Sequence, residues 1–257
     1  MNRYHRRFHI IRIPIAALLV ASACKGTSDP PPPPADVCPV LPHWTNGIVP
    51  ILFDDFERPN QIGLGTPHEG TSWTLYGPGS VGLARIENGS YMGGPPAPGP
   101  SGNLVYAASF LVSAPEFFGA QFSFVTTANA GGQDGEIAMM SSSDGPPGKA
   151  LWQNILHMVV SPTSWVLTVY RNGVPHLLKT GTSAGLLTLV PDGRQYEMRL
   201  QVLGDTVQVY LPNGNVVQAC DPDVSDAHGN QLIFEHVYTN QSAHYGRFDT
   251  VFGFIEP

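Results

Sequence analysis

The chain has 257 residues, with 13 Lys or Arg, 20 Asp or Glu and a formal net charge of −7. Four of the bases, Arg3, Arg6, Arg7 and Arg12, precede every acid, so the remainder carries nine bases against twenty acids, a net charge of −11. No basic stripe is left to hold nucleic acid, and electrostatic attachment to an anionic membrane is excluded with it.

The four arginines lead into Ile13–Ala23, an apolar run too short to span a bilayer. A basic start, a short apolar core and the small residues Ala21, Ser22 and Ala23 form a secretory signal peptide over residues 1–23. Cys24 follows at once, and the arrangement resembles the lipobox of bacterial lipoproteins, with Ala21 where that family most often has leucine. The resemblance implies a lipid on Cys24 as the first mature residue, and so an exported protein of the bacterial cell envelope held to a bilayer by its anchor alone. Pro30–Pro34 favours polyproline II, a stiff spacer of about 3.1 Å per residue, and residues 24–36 are expected to be a linker. No apolar run after Ala23 is long enough for a transmembrane helix.

The folded domain is expected over residues 37–257. In the whole chain 13% of the residues are charged and there are 28 Gly and 25 Pro, a composition that favours a turn-rich all-β fold. In chain order the strands read "GAQFSFVTT" and "GEIAMMSS", joined by the glycine-rich "ANAGGQD". "ILHMVVS" and "SWVLTVY" then flank Pro162-Thr163, and Arg171–Gly173 turns the second into "PHLLKT". Tyr196, Met198, Leu200 and Val202 alternate with Glu197, Arg199 and Gln201, the period of a half-buried strand. Turns at Gly204-Asp205 and Asn213-Gly214 make this the first of three meandering strands. "QLIFEHVY" and "GRFDTVFGFI" close the chain. About a dozen strands with long Gly/Pro loops and no convincing amphipathic helix imply a two-sheet antiparallel sandwich. Cys38 and Cys220 lack metal-ligand spacing; in an exported chain they are either a disulfide or two separately buried thiols, and a disulfide is the expectation.

"FDDFERP" at Phe53–Pro59, "SWTLYG", "ARIENGSY" and the closing "RFDTV" resemble bacterial secreted domains of the concanavalin A-like (laminin G-like) jelly-roll family. The resemblance implies that the first and last strands pair, bringing Asp54 or Asp55 near Asp249. Modules of this kind often carry a structural calcium, so those three aspartates are the implied metal ligands. Alternation lets only one of Asp54 and Asp55 face the core. The fold's glycoside hydrolases place acids as E-x-D-x-E or E-x-D-x-x-E on one strand, and no such stretch exists here. Asp134, Glu136 and Glu235 are the weak catalytic candidates that remain. "GTSAG" at Gly181–Gly185 matches a nucleophile elbow but lacks the following helix. Many relatives bind glycans on a concave sheet, where aromatic rings serve as stacking platforms. Trp152, Trp165 and Tyr170 are the expected ligand-binding residues, whereas Trp73 is assigned to the core. The leading expectation is a non-catalytic binding protein that recognises a glycan or a surface component, with no cofactor beyond that calcium. The alternatives are an atypical glycoside hydrolase and an adhesion or scaffold module that binds protein. Replacing Cys24 with Ser is expected to move the protein out of the membrane fraction and change its mass; unchanged fractionation at unchanged mass rules out the lipid.

Overall fold

The computed structural model describes residues 38–39, 41, 49–69, 72–76, 84–93, 104–111, 113–126, 135–144, 153–182, 195–238 and 244–255. Cys24, Asp134 and Trp152 lie outside the described residues. In chain order the elements are β1 (Val49–Asp54), β2 (Gln61–Ile62), β3 (Thr74–Tyr76), β4 (Arg85–Glu87), β5 (Ser90–Met92), β6 (Leu104–Leu111), β7 (Phe117–Thr126) and β8 (Glu136–Ser142). β9 (Ile155–Val160), β10 (Ser164–Arg171), β11 (Val174–Thr182), β12 (Tyr196–Leu203), β13 (Thr206–Tyr210) and β14 (Val216–Cys220) follow. The short helix α1 (Pro222–Ala227) then precedes β15 (Gln231–Tyr238) and β16 (His244–Ile255).

Two antiparallel sheets form a sandwich. One has nine strands in the order β14-β13-β12-β7-β16-β5-β4-β2, with β1 also paired to β16; the other runs β11-β10-β9-β8-β15-β6-β3. The expected end pairing is present: Asp54 lies opposite Val251, and Phe53 opposite Phe252. The meander of Tyr196–Cys220 forms β12, β13 and β14. β7 and β8, which follow each other in sequence, belong to different sheets. β6 sits between β15 and β3.

Tight hairpins rest on left-handed residue pairs. Asn88 and Gly89 (φ 52° and 70°) join β4 to β5, and Asn172 and Gly173 (φ 51° and 77°) join β10 to β11. Two successive positive φ angles match the right-handed strand twist, which is why Asn-Gly is selected there. Alternate residues then point between the sheets. Phe118, Phe122 and Phe124 from β7 meet Ile137 and Met139 from β8, Leu156 and Met158 from β9, and Phe234 from β15. Burying each such side chain contributes about 1.5–3 kcal/mol. Helix α1 is short but well ended: the Asp221 carboxylate accepts from the Asp223 N–H, Pro222 opens the first turn, and Val224 is buried in the main core.

Cys38 and Cys220 are joined in a disulfide across 182 residues of sequence, fixing the segment before β1 to the edge strand β14. Beside it, the Gln218 side chain donates to the Pro39 carbonyl. A Cys38→Ala/Cys220→Ala variant is expected to lose about 2–5 kcal/mol of stability in denaturant titration, because the unfolded chain gains the entropy of a very long open loop. An unchanged midpoint contradicts this.

Candidate carboxylate site on the outward face of the seven-stranded sheet

β8 and β15 are neighbours at the middle of the seven-stranded sheet, with Ala138 opposite Glu235 and Glu136 opposite Val237. Ile137 and Met139 on β8, and Phe234 on β15, join the inter-sheet core. Period two therefore turns Glu136, Ala138, Met140, Ile233 and Glu235 to the outward face. Ala138, Met140, Ile155 and Ile233 form a buried apolar cluster there, with Val159 and Tyr170 packed against it. Glu136 and Glu235 stand diagonally across one strand pair, roughly 7–8 Å apart at the backbone.

Both carboxyls are only partly exposed. Burial, reinforced by the negative charge of Glu136, pushes Glu235 up to about 7. Burial also raises Glu136. Neither has an ion pair or side-chain hydrogen bond among the described residues. Across the face, His157 lies opposite Met140, 5.8 Å from the Tyr170 ring. Its Nε2 is buried without a partner among the described residues, and burial lowers its pKa to about 4, leaving a neutral ring. The pairing of Glu136 with Glu235 was invisible in the sequence, since it depends on a register between strands about a hundred residues apart.

The expected ligand platform needs correction. Trp165 is 5% exposed and belongs to the inter-sheet core, because on β10 it shares its face with buried Leu167 and Val169. Its indole lies against Gly181, opposite it on β11, where any Cβ would come within 2.6 Å of Nε1. The first glycine of "GTSAG" is thus a packing glycine within a strand. Tyr170 does lie on the outward face, half-buried.

The implied calcium set does not fit either. Asp54 faces the core and is fully buried, while Asp55 faces outward, so the two diverge as alternation requires. The Asp54 carboxylate accepts from Arg58 Nη1 (2.8 Å) and Nη2 (2.7 Å), from Trp73 Nε1 (2.8 Å) and from the Phe56 N–H (3.0 Å). A guanidinium occupies the position a cation needs. Asp55 is held by His68 Nε2 (2.8 Å) and the Glu57 N–H. Asp249 accepts from Ser90 Oγ (2.6 Å) and lies 3.5 Å from Arg247 Nε. A different cluster, His176, Asp221 and Asp223, brings three potential ligand atoms within 4.8 Å of one another. Asp221 already caps α1, however, and Asp223 pairs with His176 Nδ1 at 2.9 Å.

No protein-family model matches the chain, and no curated protein matches it. Its fold is similar to those of three solved structures. SCLam, a non-specific endo-β-1,3(4)-glucanase from family GH16, is 11% identical with a TM-score of 0.55, covering 83% of this chain and 93% of that one. The Bacillus licheniformis β-glucanase is 10% identical with a TM-score of 0.51, covering 83% and 100%. The VIP36 exoplasmic/lumenal domain, in its form bound to Ca2+ and mannose, is 9% identical with a TM-score of 0.54, covering 77% and 89%. At these identities the likeness establishes the fold, a concanavalin A-like jelly-roll sandwich.

The buried acid gives a pH signature. A carboxyl whose folded pKa is raised supports the fold fully below its unfolded value and loses that support as pH rises through the folded one. For Glu235 the window runs from about 4.5 to about 7. Glu235→Gln is expected to be about 1–3 kcal/mol more stable than the wild type at pH 8 and indistinguishable from it at pH 4. Equal stability at both pH values contradicts the desolvated carboxyl.

Proposed function

We propose that this is an exported protein, held to a membrane of the bacterial envelope through Cys24, that binds a glycan on the outward face of its seven-stranded sheet. The observation that carries the reading is the Glu136–Glu235 pair, two carboxyls at the centre of that face with no cation beside them among the described residues, set on an apolar floor with Tyr170 packed against it. A carboxyl whose pKa is raised by burial and by a neighbouring like charge, as that of Glu235 is, is a candidate functional group. Hydroxyl groups of a sugar can donate to both acids, while apolar ring faces rest on Tyr170 and the floor. The glucanase and the mannose-bound domain among the similar folds support a carbohydrate ligand as a class.

Hydrolysis of the bound glycan is the second reading, favoured by the proton affinity of Glu235. A carboxyl near 7 is half protonated at neutral pH and can deliver a proton to the leaving glycosidic oxygen. Glu136 is the partner carboxylate. It either attacks the anomeric carbon, at a carboxyl separation of about 5–5.5 Å, or activates a water that does so, at about 6.5–9.5 Å. On the first route water then releases the sugar, its hydroxyl going to the anomeric carbon and its proton to Glu235; on the second the water's hydroxyl goes to the anomeric carbon and its proton to Glu136, and exchange with solvent resets both carboxyls.

The deciding experiment applies the full-length protein in detergent to a glycan array, with a reducing-end assay on mixed-linkage β-glucan. Binding by the wild type that falls roughly tenfold or more in Glu136→Gln and Glu235→Gln supports recognition at this face. New reducing ends that vanish in both variants make the protein a hydrolase. Array binding untouched by either change overturns the site.

A further inference from the structure

The opposite side of the sandwich carries a second cleft. Leu52 and Asp54 of β1 are fully buried, so Phe53 and Asp55 face outward from the nine-stranded sheet. Pro50, Phe53, Asp55, His68, Glu69 and Phe254 line a cleft of about 490 Å³ there. Its floor is apolar: Phe53 is 36% exposed, and Pro50 lies opposite Phe254 in the β1–β16 register. Its rim is polar and built. His68 leans on Phe53 with ring centroids 6.1 Å apart and bonds Asp55 Oδ1 at 2.8 Å, and the same oxygen accepts from the Glu57 N–H. The Glu69 N–H is bonded to the Phe53 carbonyl, which fixes its backbone beside the aromatic ring. The Glu69 side chain is exposed and has no partner among the described residues.

The chemistry of the cleft selects its ligand by elimination. An anion is repelled by two carboxylates. A hard cation wants about six to eight oxygen ligands, and Asp55 and Glu69 supply too few, with Asp55 Oδ1 already held by His68 and a backbone N–H. A purely apolar group would desolvate Asp55, His68 and Glu69 without returning a hydrogen bond. A neutral polyol with one apolar face meets every requirement: its C–H face lies on Phe53 and Phe254, and its hydroxyls donate to Asp55 and Glu69 or bond His68. We infer that the Phe53–Phe254 cleft is a saccharide-binding site, separate from the Glu136–Glu235 face and on the other side of the sandwich. With both sites occupied, one molecule holds two glycan segments, and retention on a polymer exceeds either affinity alone.

The test titrates the full-length protein in detergent with laminarihexaose, cellohexaose and mannohexaose by calorimetry. Four proteins are compared: wild type, Phe53→Ala, Glu69→Gln and Glu136→Gln/Glu235→Gln. Phe53 and Glu69 are exposed, and Glu69→Gln removes only a charge, so it retains the fold even should Phe53→Ala disturb it. The cleft is supported when the wild type binds at least one hexasaccharide and both Phe53→Ala and Glu69→Gln weaken one site, Phe53→Ala by roughly tenfold. Two saccharides per wild-type chain, with one lost in Phe53→Ala and the other in the Glu136/Glu235 variant, support both sites. A single saccharide lost only in Phe53→Ala upholds the cleft and rejects the opposite face. Wild-type behaviour of both Phe53→Ala and Glu69→Gln, or no binding of any hexasaccharide, overturns the cleft.

Discussion

The sandwich turns on one aromatic joint. Phe248 of β16 meets two β15 side chains across the inter-sheet gap, Phe234 at 5.5 Å and His236 at 4.9 Å, both edge-on, and stacks on Tyr91 of β5 at 5.8 Å. Tyr91 closes the set by meeting His236 edge-on at 4.5 Å. These contacts commit Phe234 and His236 to the interior, and period two then commits Ile233 and Glu235 to the outward face. A slip of one residue on β15 would put Glu235 between the sheets and expose Phe234, exchanging an aromatic contact for an unpaired buried acid. The position of the candidate site is therefore set by packing on the reverse side of the strand that carries it. His236 can serve in this joint because burial holds its pKa down at about 3, so it packs as a neutral ring.

Much of the fold was legible because half-buried strands alternate. The meander β12–β14, the hairpin at Asn172-Gly173 and the pairing of first and last strands follow from period two, from Asn-Gly chemistry and from the jelly-roll resemblance. The split of Asp54 from Asp55 followed from the same parity rule. The candidate site was legible only as single residues. Glu136 and Glu235 stood out as acids, but their pairing is a long-range register that no local pattern encodes. Trp165 misled for a related reason. On β10 both faces carry bulky residues, with Trp165, Leu167 and Val169 on one and Val166 and Tyr170 on the other, so parity alone could not say which face was inside. Gly181, which leaves room for the Trp165 indole, could be identified as its partner only from the β10–β11 register.

Asp54 shows how the chain treats a buried acid when structure alone is served. Four donors converge on its two oxygens, and Arg58 supplies the countercharge. The arrangement also shapes the backbone: Asp54 holds the Phe56 N–H while Phe56 takes φ 55°, and the Phe56 ring packs between Trp73 and Tyr91. Removing one partner from such a buried pair leaves an uncompensated charge and costs several kcal/mol, so its parts stand or fall together.

Glu235 receives none of this. It is shielded from water, lies close enough to Glu136 for their charges to raise its pKa, and has neither an arginine nor a ring of N–H donors among the described residues. A chain that can satisfy Asp54 four times over has the means to neutralise an acid, and a strand position facing outward is easily filled by a neutral residue. Retaining two carboxyls that have no cation beside them among the described residues weakens the fold at neutral pH. What such a pair retains is unspent hydrogen-bonding capacity in a place of low dielectric, where a hydroxyl-bearing ligand is held more strongly than water would hold it. The contrast with Glu235 assigns Asp54 to the architecture and singles out the Glu136–Glu235 pair as the basis of the proposed glycan site.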